Sequence, residues 1–477
     1  MERHIASAVV VGSRGVPVRV RAALGVGPTG AGGRPDESTR RLAARVGAAL
    51  SSSGLGPPGA EVSLDVDGAP WCDGLELAAA VAVLVAAGVV GPEATAGVSF
   101  VAGLGLDGSV RPVPGALPRV EAVQAPTVVV ARANVAEAAL AAGRRVVSVD
   151  GLRQLAGMLA GAPAWPAPVP PPPSAAPAGV AHPRALDGMI PSVRTALVVA
   201  AAGRHHMLVA GPPAEARARA RWLVELLPGL PADATMDLAR IRSAAGLRPS
   251  VVPTRPPWRE VAAPGSALAL AGGAGALRPG DASLAHGGAL LLDGVDRFDT
   301  AVLQLLAEPL RSRTVTVARG GVVAVLPADL QLVATAGDEP GAVRLPRWLA
   351  DRLSIRVRVG DTGPQPGDEP DLGGPDVARA RRAAAARGWP DNESIPGAAL
   401  RRVAPLTPAA ARLMEAAAGG GAVSTGAVRG VWRVALTLAD LSGRPAIGHD
   451  EVERALLLRA VPRHPSRGAH RERPAPR

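Results

Sequence analysis

A proline-rich segment divides this chain of 477 residues into two unequal parts. Residues 161–183 contain an unbroken run of prolines from Pro170 to Pro173, which favours an extended polyproline II conformation and cannot join a hydrophobic core. We therefore predict a linker over residues 161–183 and an N-terminal domain over residues 1–160. The remaining residues are numerous enough for a second, larger folded part.

Lysine is absent from the sequence, so all 52 basic residues are arginines. A catalytic Schiff base, a Ser–Lys dyad and the lysine of a phosphate-binding loop are therefore excluded. Cys72 is the single cysteine, which excludes an internal disulfide and a cysteine-rich zinc or iron–sulfur site. The net charge of +11 is compatible with nucleic-acid binding, but it is spread along the chain and identifies no surface.

The N-terminus and the most apolar stretch both indicate a soluble protein. Met1 to His4 precede a strand-like run rather than the apolar core of a secretory signal. Residues 77–90 form the most apolar stretch, and they are fewer than the roughly 20 that a membrane-spanning helix needs. We expect a cytoplasmic protein with no membrane partner.

Strand and helix patterns alternate in the N-terminal domain and predict an α/β fold. Residues 12–17 are predicted to form the turn between the first two strands, and Asp107-Gly108 is a strong turn signal. The predicted strands are 7–11, 18–24, 61–66, 99–106 and 127–130, and the predicted helices are 38–51 and 75–87.

The C-terminal part begins with a similar alternation, which predicts a parallel, doubly wound sheet over residues 184–360. Residues 361–400 are acidic and rich in glycine and proline, and we interpret them as a connector with a short helix. A small helical domain is predicted over 401–461, followed by an arginine-rich, disordered tail over 462–477. The predicted helices are 193–202, 214–227, 408–418, 424–442 and 449–460, and the predicted strands are 206–210, 288–292 and 330–335.

Gly211-Pro212-Pro213 stands between a predicted strand and a predicted helix, the position of a phosphate-binding loop. Arg217 occupies the place of the lysine that reaches the outer phosphates, and Ala218 occupies the place of the hydroxyl that binds Mg²⁺. Arginine keeps the positive charge but carries it on a planar guanidinium group, whereas alanine offers no magnesium ligand.

A second nucleotide motif is altered in the same way. An apolar strand ends in Asp293, in the manner of the aspartate that holds Mg²⁺, but the next position, where a glutamate activates water, is Gly294. Hydrolysis without a general base and a magnesium-binding hydroxyl loses several orders of magnitude in rate. The sequence therefore predicts a degenerate nucleotide site.

Four segments of the C-terminal part resemble the magnesium-chelatase-like AAA+ family, the most distinctive reading R-P-G-D-A-S-L-A-H-G-G-A-L-L-L-D. In the N-terminal domain, residues 35–54 resemble the YifB/ComM subgroup of that family, as do residues 106–115, which read L-D-G-S-V-R-P-V-P-G. The resemblance covers nearly the whole chain in the same order. The four C-terminal segments are residues 278–293, 308–319, 349–353 and 433–441.

This resemblance implies an α/β fold with a Lon-protease-like N-terminal domain, a P-loop AAA+ core with a parallel sheet, and a C-terminal helical lid. It implies ATP and Mg²⁺ as cofactors, Asp293 as the magnesium ligand, Arg352 as the arginine finger and Arg433 as a second sensor. The implied partners are DNA and other subunits, in a homo-oligomeric ring or a hetero-oligomer with an active paralogue. The implied nucleotide-binding residues are Gly211, Pro212, Pro213, Arg217, Ala218, Asp293 and Arg433.

We interpret the chain as a ComM/YifB-type protein that acts as a non-hydrolysing scaffold or regulator in DNA processing. One alternative is a weak but genuine ATPase that drives DNA branch migration, with Arg217 replacing the lysine. Another is an accessory subunit of a metal chelatase, against which the Lon-like domain argues. A protease is not expected, because the catalytic lysine of that fold falls at Pro118 or Arg119.

Overall fold

The computed structural model describes most of both parts of the chain. The single cysteine, most of the predicted linker, the acidic portion of the connector and the predicted tail lie outside the described residues. The described residues are 4–25, 37–56, 62–67, 73–162, 164–170, 191–273, 275, 277–337, 345–360, 372–419 and 424–460.

A six-stranded sheet forms the centre of the N-terminal part. Its elements, with the adjoining helices and a short two-stranded ribbon, are β1 (Ile5–Val11), β2 (Arg14–Leu24), α1 (Glu37–Ser52), β3 (Val62–Asp67), α2 (Glu76–Ala86), β4 (Val98–Val101), β5 (Gly103–Leu104), β6 (Val110–Arg111), α3 (Ala116–Ala122), β7 (Thr127–Ala131), α4 (Val135–Ala138), β8 (Arg145–Val149) and α5 (Leu152–Leu159). The strand order is β3-β2-β1-β4-β7-β8. The first three strands pair antiparallel, and β1, β4, β7 and β8 pair parallel.

Helices cover both faces of this sheet. Successive residues of a strand point to opposite faces, so each face has its own hydrophobic core. On one face α1, α2 and α5 bury their apolar side chains against Val129 and Val147. Helix α2 is apolar on every side because it lies between α1 and the sheet. On the opposite face α3 and α4 pack against Val128, Val130 and Val146.

The first turn is tighter than the sequence predicts. Gly12 and Ser13 alone join β1 to β2, in place of a turn over residues 12–17. Pro17 lies inside β2, and β3 pairs with β2 only from Arg19 onward. Proline is tolerated at this point because no second strand needs its missing N–H.

A second sheet, of five parallel strands, forms the centre of the C-terminal part and agrees with the predicted parallel sheet. Its region contains α6 (Pro191–Gly203), β9 (Met207–Ala210), α7 (Pro213–Leu226), α8 (Ala232–Ala244), β10 (Trp258–Ala262), α9 (Ala267–Ala271), α10 (Asp281–Leu284), β11 (Ala289–Asp293), α11 (Thr300–Gln304), α12 (Pro309–Ser312), β12 (Thr314–Arg319), β13 (Val322–Pro327), β14 (Gln331–Ala336), α13 (Arg347–Arg352) and β15 (Ile355–Arg358). The strand order is β10-β11-β14-β9-β15. The order reverses at β9, and α/β proteins bind ligands at such a reversal, beyond the carboxyl ends of the strands.

Five further helices pack beside this sheet. They are α14 (Gly374–Ala386), α15 (Gly397–Val403), α16 (Pro408–Gly419), α17 (Thr425–Leu441) and α18 (His449–Arg459). Helix α14 and the first half of α15 lie in the predicted connector, yet Val377, Ala380 and Leu400 are buried in the same core as α6 and α17. Within the described ranges, no helix combines the length and apolar character needed to cross a membrane.

The two parts of the chain contact each other through α3 and α8. The Arg240 guanidinium donates to both carboxylate oxygens of Glu121, at 2.8 and 2.9 Å. The N–H of Gly115 donates to the carbonyl of Ser243 (2.7 Å), and the Ser243 hydroxyl donates to the buried carboxylate of Glu137. The N-terminal part is therefore docked on the five-stranded unit.

The start of the predicted linker also packs against the N-terminal part. Trp165 lies against the apolar core under the six-stranded sheet. The N–H of Val169 donates to the carbonyl of Val146 in β8, at 3.2 Å. Residues 164–170 are thus packed against the N-terminal part, whereas the sequence predicts that the linker starts at residue 161.

Candidate functional site

The loop of Gly211, Pro212 and Pro213 connects β9 to α7 at the carboxyl-end edge of the parallel sheet. Gly211 has φ = +145°, and its N–H donates to the carbonyl of Ala336 at 3.1 Å. A Cβ on Gly211 would lie 3.0 Å from the Cβ of Val359. Glycine is therefore required where the loop passes the neighbouring strand.

The loop and the first turn of α7 offer few free backbone N–H groups. The two prolines have none, and that of Gly211 is already bonded. The N–H of Ala216 donates to the carbonyl of the first proline, at 2.9 Å. Within residues 211–216 this leaves the N–H groups of Ala214 and Glu215 without a partner inside the helix.

Arg217 and Asp293 form an ion pair at this edge. The Arg217 Nη1 lies 3.1 Å from the Asp293 Oδ2 and 3.6 Å from the Glu260 Oε1. The other oxygen of Asp293 accepts a hydrogen bond from the Thr335 hydroxyl, at 2.6 Å. Both oxygens of the aspartate are thereby engaged, while the neighbouring Ala218 is exposed and offers no polar side-chain atom.

Gly294, which follows the aspartate, has a left-handed backbone conformation with φ = +74°. Its N–H donates to the Thr335 hydroxyl at 2.9 Å, so the turn is fixed by the neighbouring strand. An L-residue in this conformation costs roughly 1–2 kcal/mol. The backbone therefore opposes a glutamate at this position.

Arg352 and Arg433 lie at the opposite edge of the same sheet. Arg352 precedes β15, and its Nη1 donates to the carbonyl of Leu310. Arg433 donates through Nε and Nη2 to the carbonyl of Ile395, at 3.0 and 2.7 Å. The two edges are about 13 Å apart, because β9 has four residues and a strand rises roughly 3.3 Å per residue. Within one chain these two arginines are therefore not brought near Arg217, which lies on α7 just after the loop.

A buried polar network, which the sequence analysis does not predict, joins the C-terminal helices to the sheet. His205 Nδ1 lies 3.0 Å from the Glu393 Oε2, and its Nε2 lies 2.8 Å from the Thr437 Oγ1. Burial alone would raise the pKa of Glu393, but the His205 hydrogen bond and the charge of Arg433 lower it to about 2. The adjacent histidine pair, His205 and His206, is the signal that could have indicated a buried polar site. Among the described residues no cluster of three metal-ligating side chains is present.

Arg119, one of two positions where the catalytic lysine of a Lon-like fold would fall, is buried in the N-terminal part. Its Nη1 and Nη2 donate to the carbonyls of Ala8 (2.6 Å) and Asp73 (3.0 Å). Burial lowers the pKa of Arg119 to about 10, so the side chain stays charged at neutral pH. These bonds tie α3 to the first strand and to the segment before α2.

The fold defines the class: an α/β protein whose C-terminal part has a parallel sheet, with a strand–loop–helix connection at the strand reversal. Three family models match successive regions. The model for magnesium chelatase, subunit ChlI, matches residues 189–360, that for the C-terminal region of the same subunit matches 375–459, and that for subunit ChlI of Mg-chelatase matches 18–134.

Three relatives align with between 71% and 90% of this chain. An uncharacterised Mycobacterium tuberculosis protein, Rv2897c, is 34% identical over 464 residues, covering 90% of this chain and 92% of the relative. The competence protein ComM of Haemophilus influenzae is 25% identical over 479 residues, with the same coverage of 90% and 92%. The uncharacterised protein YifB of Escherichia coli is 26% identical over 350 residues, covering 71% of this chain and 68% of YifB. The chain belongs to the magnesium-chelatase-like family of the YifB/ComM type.

Proposed function

We propose that this protein is an AAA+ family member with a degenerate nucleotide site, and that it acts as a scaffold or regulator in DNA processing. Family membership supports the AAA+ ancestry. The similarity to a competence protein supports a role on DNA. The net charge of +11 is compatible with that role.

The ion pair between Arg217 and Asp293 is the observation that carries this proposal. In a working site the lysine ammonium faces the phosphates and the aspartate faces Mg²⁺. Here the two side chains neutralise each other at 3.1 Å, and Thr335 engages the second carboxylate oxygen. A magnesium ion would have to displace the guanidinium from a carboxylate that is nearly buried.

The remaining groups do not fit Mg-ATP either. Ala218 has no hydroxyl for the metal, and the loop prolines have no N–H for a phosphate. Gly294 offers no carboxylate to polarise water, and its left-handed backbone disfavours one. The residues around the loop therefore supply neither the metal ligand nor the base that hydrolysis requires. Arg352 would contact a nucleotide only in another copy, because it lies across the sheet from its own loop.

ATP hydrolysis by repaired variants tests the degenerate-site proposal. Arg217→Lys alone should not hydrolyse ATP, because the magnesium hydroxyl and the general base are still missing and such groups act as a unit. Arg221→Lys, at an exposed position on the same helix, is the matched control. Turnover by the wild type at about 1 s⁻¹ or faster would instead support the alternative of a genuine ATPase.

Salt-dependent DNA binding tests the second part of the proposal. We expect the full chain to bind a fluorescent four-way junction or duplex more weakly as the salt concentration rises, because arginine contacts to phosphates release counterions. Fluorescence anisotropy at two salt concentrations measures this. No binding to either DNA at low salt would contradict a role on DNA.

A further inference from the structure

A cavity of about 300 Å³ opens at the amino-end edge of the parallel sheet, across the sheet from Arg217. His206, before β9, lines it together with Asp329 and Leu330, before β14. Helix α12 and the residues that follow it form one wall, and the C-terminal helices form another. The arginines that line it are Arg204, Arg311, Arg313, Arg352 and Arg433.

The carboxylates of this cavity already have cationic partners. Asp329 pairs with Arg204 at 2.7 Å. Asp391 lies between Arg204 (3.8 Å) and Arg381 (3.9 Å). Glu393 pairs with Arg433 at 3.4 Å and also lies 3.0 Å from the His205 Nδ1. These acids therefore have little capacity to neutralise further positive charge.

Three of the arginines are poorly compensated. The Arg352 guanidinium donates to the neutral carbonyl of Leu310, and Arg313 reaches Asp329 only at 3.6 Å. Arg311 is exposed and has no ion pair with another described residue. With five arginines against three carboxylates, the walls carry a formal excess of two positive charges.

The charges in the cavity disfavour one another. Burial lowers the pKa of Arg352. The charge of Glu393 opposes this effect, whereas the charges of Arg433 and Arg311 lower the pKa further. An anion between these guanidinium groups would relieve both the burial cost and the repulsion. His206 adds a neutral donor: its Nδ1 accepts the N–H of Leu332 at 3.0 Å, which leaves the ring proton on Nε2.

We propose that this cavity binds a small free anion with a phosphate group, which the guanidinium groups of Arg311, Arg313 and Arg352 hold. Guanidinium groups match phosphate oxygens with paired hydrogen bonds. The volume is at the lower end of the range for ligand pockets, which favours a compact anion. All the residues named here belong to one chain, so the proposed site can form within a single copy and does not depend on the proposed function.

Calorimetric titration of the full chain with inorganic pyrophosphate tests this site. We expect one anion per chain at every protein concentration. We expect Arg311→Gln and Arg352→Gln each to weaken binding at least tenfold, and Arg412→Gln, at an exposed position on α16, to leave it unchanged. Arg311 is exposed, so its variant should retain the wild-type thermal unfolding and isolate the loss of charge.

Three results would overturn the proposal. The first is no heat of binding with pyrophosphate. The second is binding that is lost in Arg217→Gln but retained in Arg311→Gln, which would place the anion at the loop. The third is binding that appears only when copies assemble with ATP, which would assign the arginines to a nucleotide held by a second chain.

Discussion

The backbone conformation of Gly294 limits which side chains this position can carry. The residue has φ = +74° and ψ = 55°, and its N–H is fixed by the Thr335 hydroxyl. A glutamate at this position would bring a carboxylate next to Asp293 but would strain the turn. The backbone at residue 294 therefore disfavours a glutamate, which supports the proposal of a degenerate site.

Gly294→Ala should destabilise the protein by roughly 1–2 kcal/mol, because alanine disfavours the left-handed conformation. Gly337→Ala is the matched control, since Gly337 lies beyond the neighbouring strand and a Cβ there meets open space. The midpoint of urea unfolding measures the difference. Equal midpoints for the two variants would show that the turn at Gly294 is not strained by a side chain.

His206 makes stability depend on pH. Burial lowers its pKa to about 4 from an ordinary value of 6.5. The unfolded chain therefore takes up the proton first, and the free energy of unfolding falls by on the order of 3 kcal/mol as the pH drops from about 6.5 to about 4. Glu393, with a pKa of about 2, loses its stabilising effect only below about pH 4.5.

The variant His206→Gln should flatten this dependence. Urea midpoints measured between pH 6.5 and 4 should change less in His206→Gln than in the wild type. His449→Gln, at an exposed histidine, should keep the wild-type slope. The same slope in all three proteins would contradict the assignment to His206.

At the scale of elements, the sequence predicts the helices best where periodicity and end signals agree. Helix α16 is predicted over 408–418 and spans Pro408–Gly419, because Thr407 caps it and proline fits its first position. The sequence predicts one short helix in the connector but not the bounds or the length of α14, because its arginines and alanines show no strong apolar stripe. Its Val377 and Ala380 are nevertheless buried against a partner that only the fold brings near.

The side-chain contacts at the two edges of the parallel sheet differ in how far the sequence could predict them. The proximity of Arg217 to Asp293 follows from two parallel strands whose carboxyl ends share an edge. The contacts of His205 could not be predicted, because Glu393 and Thr437 lie 188 and 232 residues away. Such contacts depend on how the C-terminal helices pack, which local patterns do not encode.

Limited digestion with elastase tests the extent of the linker. We expect cleavage within residues 171–183, which contain several alanines in a proline-rich context. Residues 164–170 should resist, because Trp165 is packed and Val169 is hydrogen-bonded to β8. Mass spectrometry of the fragments locates the cut. A first cut within residues 164–170, or no cut at all, would contradict this boundary.

At the scale of the whole molecule, the interface between α3 and α8 should keep the two parts together after cleavage. Arg240 bridges Glu121 on α3 through two hydrogen bonds, and Ser243 joins Glu137. We expect the two elastase fragments to co-elute in size-exclusion chromatography.

Charge reversal at this interface should separate the fragments. Arg240→Glu places a third carboxylate beside Glu121 and Asp237, and it removes the bidentate contact. Arg221→Glu, an exposed change on α7, should leave the fragments associated. Separate elution of the wild-type fragments would show that the linker alone connects the two parts.

Calorimetric titration of the full chain with Mg-ATP tests the central claim most directly. The Arg217–Asp293 ion pair, the missing hydroxyl at Ala218 and the prolines of the loop all oppose binding at the same place. The predicted result is no saturable binding in the micromolar range, with or without Mg²⁺. A Kd of about 1 μM or tighter, in the range where binding is worth about 8 kcal/mol, would contradict the degenerate site and identify a working nucleotide-binding protein.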